Sequence, residues 1–163
     1  MGSFSLGGFG LRTPGGGGAA SNAAVGEMIE VCDSSAAPST YGNGIPFVPL
    51  RQGQADWLRV QFVAAVTGSV DVVIVYAMSA ANGGGVSLQA DTVNVSVGGD
   101  PAAAADVGTP ALVTPGNDAL LHEVIAATLT VAPGSLIDCT VRRPTADDTH
   151  TGDMRVLGVV VRA

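Results

Sequence analysis

Short valine-rich runs closed by glycine or proline constrain this chain more than any other feature. Residues 70–78 read VDVVIVYAM, and residues 154–162 read MRVLGVVVR. Branched side chains suit a pleated, half-buried surface and fit poorly against the preceding turn of a helix. No long stretch with helical spacing competes with them. Such a chain folds by pairing strands, and its connections are set by the glycines and prolines between the runs.

The run at 56–66 alternates cleanly. Leu58, Val60, Phe62 and Ala64 point one way, and Trp57, Arg59 and Gln61 the other. Residues 70–78 are apolar throughout and predict a central strand covered on both faces, joined to the preceding run by a tight hairpin at Thr67-Gly68-Ser69. Residues 45–50 carry Pro46 and Pro49 and are expected at a sheet edge. In 85–97 the apolar set starts on Val86, Leu88 and Ala90 and resumes on Val93, Val95 and Val97, so a bend near Asp91-Thr92 is expected. Further strands are read near 111–114, at 121–131 and 136–142, and at 154–162. About eight strands at near-regular spacing indicate an all-β, antiparallel β-sandwich over residues 45–163. Its expected core includes Leu58, Val60, Phe62, Val73, Val75, Ile125, Leu129, Val141 and Val159. The last strand offers apolar residues on both faces, which suggests that one face meets another subunit.

Residues 1–44 are rich in Gly, Ala and Ser, with four glycines in a row at 15–18. Such a segment cannot offset its ordering entropy alone. Phe4, Leu6, Phe9 and Leu11 are spaced as apolar anchors, so the segment reads as an extended N-terminal arm that docks on a partner. A short strand near 25–31 is the one element expected within it.

The charge balance narrows the partners. Seven Arg and no Lys stand against fourteen Asp plus Glu, a net charge of −7. That field repels a phosphate backbone, and Arg142-Arg143 is the only adjacent basic pair, so nucleic acid is not expected as a partner. No run approaches the ~20 apolar residues of a membrane helix, and no secretory leader is visible, which points to synthesis and assembly in the cytoplasm. Cys32 and Cys139 form no framework of bridges. They read as small apolar residues, the alternative being a single bridge between arm and domain.

Little in the chain resembles catalytic machinery. His122 and His150 are the two histidines, and neither accompanies a Gly-x-Ser-x-Gly elbow. No cofactor is expected, and the reading is of a protein without enzymatic activity. The densest group of possible metal ligands is Asp147, Asp148, His150 and Asp153. Its spacing matches no EF-hand, and the simpler reading is a polar turn paired with Arg142 or Arg143. Trp57 is the one tryptophan and is expected at a core or interface, the alternative being a sugar-stacking platform.

The run GSVDVVIVYAMSAANGGGVSLQ and the later APGSLIDCTVRRPTADDTHTGDMRVLGVVV resemble jelly-roll structural proteins of tailed bacteriophages. In these, an aliphatic strand ending in an aromatic leads to a Ser- and Gly-rich turn, and an Arg followed by an Asp-rich loop precedes the final strand. Here those elements are Tyr76, residues 79–85, Arg142-Arg143, Asp147-Asp148 and residues 156–161. The resemblance spans roughly residues 45–163. It implies a jelly roll, a homotrimer and a place in the virion, docked on a major capsid protein or another virion protein. A capsid decoration (cement) or head-associated role is the first expectation. A tail, fibre or baseplate component, or an extracellular carbohydrate- or receptor-binding sandwich, are the alternatives.

Overall fold

The computed structural model describes residues 21–23, 28–29, 31–80, 83–103, 109–113 and 120–163. It is all-β: among the described residues there are twelve strands and no α-helix, only a short 3-10 turn at Pro101–Ala103. The short strands β1 (Ser21–Ala23), β2 (Met28–Ile29), β3 (Val31–Ser34) and β4 (Ser39–Thr40) come first. Eight longer ones follow: β5 (Pro46–Leu50), β6 (Trp57–Ala64), β7 (Gly68–Met78), β8 (Val86–Val95), β9 (Thr109–Val113), β10 (His122–Val131), β11 (Leu136–Arg142) and β12 (Met154–Arg162).

One sheet runs β1-β6-β11-β8-β9, with β3 also paired to β6. The other runs β10-β7-β12-β5-β4, with β2 also paired to β12. All pairings are antiparallel except that of β1 with β6. The inner faces share one core. Leu58, Val60, Phe62, Ile137, Cys139 and Val141 come from the first sheet, and Val70, Val72, Ile74, Tyr76, Val156 and Val159 from the second. At one end Asn94 of β8 joins the sheets, its Nδ2 donating to the Thr130 carbonyl of β10 at 2.8 Å.

Strand β6 follows its alternation residue by residue, with Leu58, Val60, Phe62 and Ala64 buried. β7 is central in its sheet. Its even positions enter the core, and Val73 and Val75 are buried on the opposite face. Several details depart from the sequence reading. Thr67-Gly68-Ser69 closes no hairpin, because β6 and β7 lie in different sheets and Gly68 pairs with Val131. β8 carries no register shift against β11 and so needs no bend. Its even positions stay inward through Thr92, which is 1% exposed and donates through Oγ1 to the Cys139 Sγ at 3.7 Å. A hydroxyl with a buried partner can occupy a core position, and Val93 and Val95 therefore lie half-buried on the outer face.

Ile125 was expected in the core and is instead 54% exposed. The register shifts between Ile125 and Ala127, so Val124 packs against the core before the bulge and Leu129 and Val131 enter it afterwards. β12 has a matching shift between Val156 and Gly158. It turns Met154, Val156, Val159 and Val161 all inward, leaving Leu157 and Val160 half-buried. The two apolar faces read from the sequence are thus largely one, and that ground for a subunit contact is removed.

The sheets also begin earlier than Ile45. β1 and β3 share the edge of β6, and β2 and β5 share the edge of β12. β5, expected at an edge, has the two-residue β4 outside it. Tyr41, just after β4, packs its ring at a tilt against Phe47 of β5, centroids 4.8 Å apart, and the Arg155 guanidinium lies 5.2 Å and 5.3 Å from their ring centres. These pairings add edge strands from a segment whose composition reads as unstructured.

Leu58→Ala and Ile125→Thr separate the inner from the outer face. Leu58→Ala is expected to lower unfolding free energy by about 2–5 kcal/mol, and Ile125→Thr by no more than about 0.5 kcal/mol, in urea melts.

Candidate functional site

The acidic loop after β11 is organised by a buried arginine. Arg143 leaves β11 one residue after Arg142, and its side chain is 0% exposed. All five of its N–H groups are used. Nε donates to Asp148 Oδ2 at 2.5 Å and Nη2 to Oδ1 at 3.1 Å. Nη1 donates to the carbonyls of Leu50 and Gly152, and Nη2 also to that of His150. One guanidinium therefore ties the end of β5 to the 147–153 loop that leads into β12. Asp148 in turn accepts from the His150 backbone N–H at 3.1 Å.

The four candidate ligands do not converge. The Asp148 carboxylate is committed to Arg143, and Asp147 is exposed at a positive φ of 61°. His150 is buried, with Nδ1 accepting from the Gly152 N–H at 3.0 Å. The Asp153 backbone exchanges hydrogen bonds with Ser79. Among the described residues no three His, Cys, Asp or Glu side chains are placed to hold a metal ion. The loop packs closely on the 83–85 turn: a Cβ on Gly84 would lie 2.5 Å from the Thr149 carbonyl oxygen, which excludes any other residue there. His122 is half-buried, its ring 5.5 Å from that of Tyr76. Phe4, Leu6, Phe9 and Leu11 lie outside the described residues, as does the side chain of Cys32.

A second feature follows from strand register. β11 runs between β6 and β8, and the outward residues of the three strands form rows: Trp57, Arg142, Gln89, then Arg59, Thr140, Asp91, then Gln61, Asp138, Val93. This is the outer face of the first sheet. At its Trp57 end lies an open groove of about 650 Å³, whose rim includes Asp56 and Pro144. Its charges are held in pairs. Arg59 and Gln61 donate to Asp138, Arg142 Nε lies 3.0 Å from Asp91 Oδ2, and Gln89 donates to Asp91 at 2.7 Å. Behind the rim Arg51 forks onto Asp56 at 2.8 and 2.9 Å. The Asp56 carbonyl accepts from the Arg143 N–H, so the buried arginine and the groove share a wall.

These pairs set the local acidities. The Arg51 hydrogen bond, against the opposing effect of burial, holds the Asp56 carboxyl below its ordinary value. For Asp138 burial acts upward, but the hydrogen bonds from Arg59 and Gln61 carry it below the usual carboxylate range. The sequence marked Trp57 but not the groove. The outward set of β6 was legible, whereas its neighbours across β11 and β8 depend on a register that no local pattern encodes.

No protein-family model matches the chain, and no curated protein is significantly similar to it.

The adjacent arginines should behave oppositely. Arg143→Met leaves a buried carboxylate and three carbonyls without their donor and is expected to destabilise the fold by about 3–5 kcal/mol. Arg142→Ala should change stability by no more than about 0.5 kcal/mol. Arg143→Lys should not rescue, because three donors on a point charge cannot replace the fork. Denaturant melts of the three variants provide the comparison.

The pH dependence has a definite sign. Asp56 and Asp138 ionise more readily folded than unfolded, so their contribution is complete above the unfolded carboxyl value of about 4. It is lost as pH falls through their lower folded values. Urea melts between pH 6 and pH 2 should show a decline beginning near pH 4, flattened in Asp138→Asn.

Proposed function

We propose that this chain is a non-enzymatic structural protein of a virus particle, a capsid decoration (cement) or head-associated jelly roll assembled in the host cytoplasm. What supports the jelly-roll reading is the nesting of the eight longer strands. β5 pairs with β12, β6 with β11, β7 with β10 and β8 with β9, so the first strand meets the last and each pair lies inside the one before. Successive strands alternate between sheets except β8 and β9, which form the innermost hairpin, giving the orders β5-β12-β7-β10 and β6-β11-β8-β9. A long hairpin rolled up in this way is the plan of jelly rolls, a group that includes viral capsid domains. Fold alone does not specify function. The added ground is the arm. Phe4, Leu6, Phe9 and Leu11 are apolar anchors spaced along a glycine-rich segment that would dock on the major capsid protein or another virion protein.

The homotrimer belongs to the same proposal. Its support is the cluster of large exposed apolar residues beside and on β10: Leu120 at 58%, Leu121 at 61% and Ile125 at 54% exposure. A neighbouring copy would cover them.

Two measurements test the proposal. Deleting residues 1–20 stops just short of β1 and should leave the melting temperature unchanged while abolishing incorporation into particles. Normal incorporation of the truncated chain would overturn docking by the arm. Sedimentation of the intact protein at micromolar concentration should give three times 16.1 kDa, and Leu121→Glu with Ile125→Glu should give a monomer. A monomeric intact protein would rule out the trimer.

A further inference from the structure

We infer that the groove on the outer face of the first sheet binds a neutral oligosaccharide. This activity would be independent of where the protein sits in a particle.

Three properties of the groove lead to that ligand class. The first is size and shape: an open trough of about 650 Å³ across three strands falls in the range of small-molecule sites and accommodates an extended ligand. The second is the arrangement of polar groups. Arg142, Arg59 and Gln89 line the trough, and the largely buried carboxylates Asp91 and Asp138 lie directly beside its lining. Asp91 stands against Arg142 and Gln89, and Asp138 against Arg59, so donors and acceptors stand side by side along its floor and edge. A sugar hydroxyl both donates and accepts, so one hydroxyl can bridge a guanidinium N–H and a carboxylate oxygen. Arg142 keeps its side chain 54% exposed, and its two terminal nitrogens make no hydrogen bond among the described residues. Thr140 stands between the two pairs with a further hydroxyl. The third is Trp57, which lines the same trough half-buried and supplies an apolar surface against which the C–H face of a pyranose can pack.

Charge selects a neutral ligand over an acidic one. Each arginine on this face is balanced by an aspartate, and the chain as a whole carries −7. An anion at either guanidinium would lie beside Asp91 or Asp138 and against that field. A neutral polyol leaves both pairs intact.

Trp57 is the single tryptophan, so the fluorescence of the intact protein reports on the groove directly. The experiment titrates the full chain with tetrasaccharides of glucose, mannose, galactose and N-acetylglucosamine, and with an oligogalacturonate as the acidic counterpart. At least one neutral tetrasaccharide should produce a saturable fluorescence change at or below millimolar concentration. Calorimetry should then show at least a tenfold loss of affinity in Arg142→Ala and in Gln89→Ala, and no binding in Trp57→Ala, with unaltered circular dichroism for all three. If Trp57→Ala does not fold, the other two variants decide. Absence of binding by every neutral tetrasaccharide, binding of the oligogalacturonate alone, or affinity unchanged in Arg142→Ala and Gln89→Ala would each overturn the inference.

Discussion

A strand with a period of two can deliver its apolar residues to only one core. Three neighbouring strands of this fold, β10, β7 and β12, carry more of them than that rule allows. The conflict is resolved by two single-residue bulges on either side of β7, one between Ile125 and Ala127 and one between Val156 and Gly158. Each resets the register partway along its strand, so Val124 and Leu129, like Val156 and Val159, lie toward the same interior. Without the shift in β12, Val159 and Val161 would face outward. At about 1.5–3 kcal/mol for each buried branched side chain, the loss would be a large fraction of the stability of a domain this size. The rest of the packing follows from this. With β7 flanked by two bulged partners, its even positions fill the core and face Leu58, Val60 and Phe62 across it.

The open end of the sandwich is held by a different interaction. Arg143 directs its five donors to a carboxylate and three carbonyls drawn from β5, the acidic loop and the turn before β12. In a low-dielectric setting such a network is stabilising only when every member is satisfied. Its backbone N–H then fixes Asp56, whose carboxylate is gripped by Arg51 beside Trp57. A buried polar cluster with no access to solvent therefore shapes the wall of a surface groove, and the rigidity of that wall is what would let the groove discriminate among ligands.

Much of this was legible in the sequence, and the exceptions have physical causes. The alternation of residues 57–64 gave both faces of β6, and 136–142 and 154–162 gave the last two strands in full. Ile125 was misplaced because a bulge leaves no mark in composition; Ala126, the residue it absorbs, is as ordinary in a strand as in a bulge. The bend expected at Asp91-Thr92 rested on Val93, Val95 and Val97 resuming the inward set, whereas Thr92 keeps the inward position with its hydroxyl partnered by Cys139. A pairing of the acidic turn with Arg142 or Arg143 was legible, but not the burial of Arg143, since an arginine between Arg142 and Pro144 reads as surface until Asp148 folds back onto it. Of the strands at 21–40 only one, near 25–31, was read, where β2 lies; the others were missed for a related reason. Two- to four-residue edge strands draw their order from the neighbour they pair with, not from their own propensity.

The nested pairing carries both the fold and the functional reading, and it differs sharply from a meander in which each strand pairs with the next. Nuclear Overhauser effects between backbone protons distinguish the two directly. The structure requires cross-strand contacts between Val48 and Val156, Leu58 and Val141, Val70 and Leu129, and Leu88 and Ala111. All four together would establish the order from first strand to last. A ladder joining residues 46–50 to 57–64, or 57–64 to 68–78, would contradict it, and with it the jelly-roll basis of the proposed function.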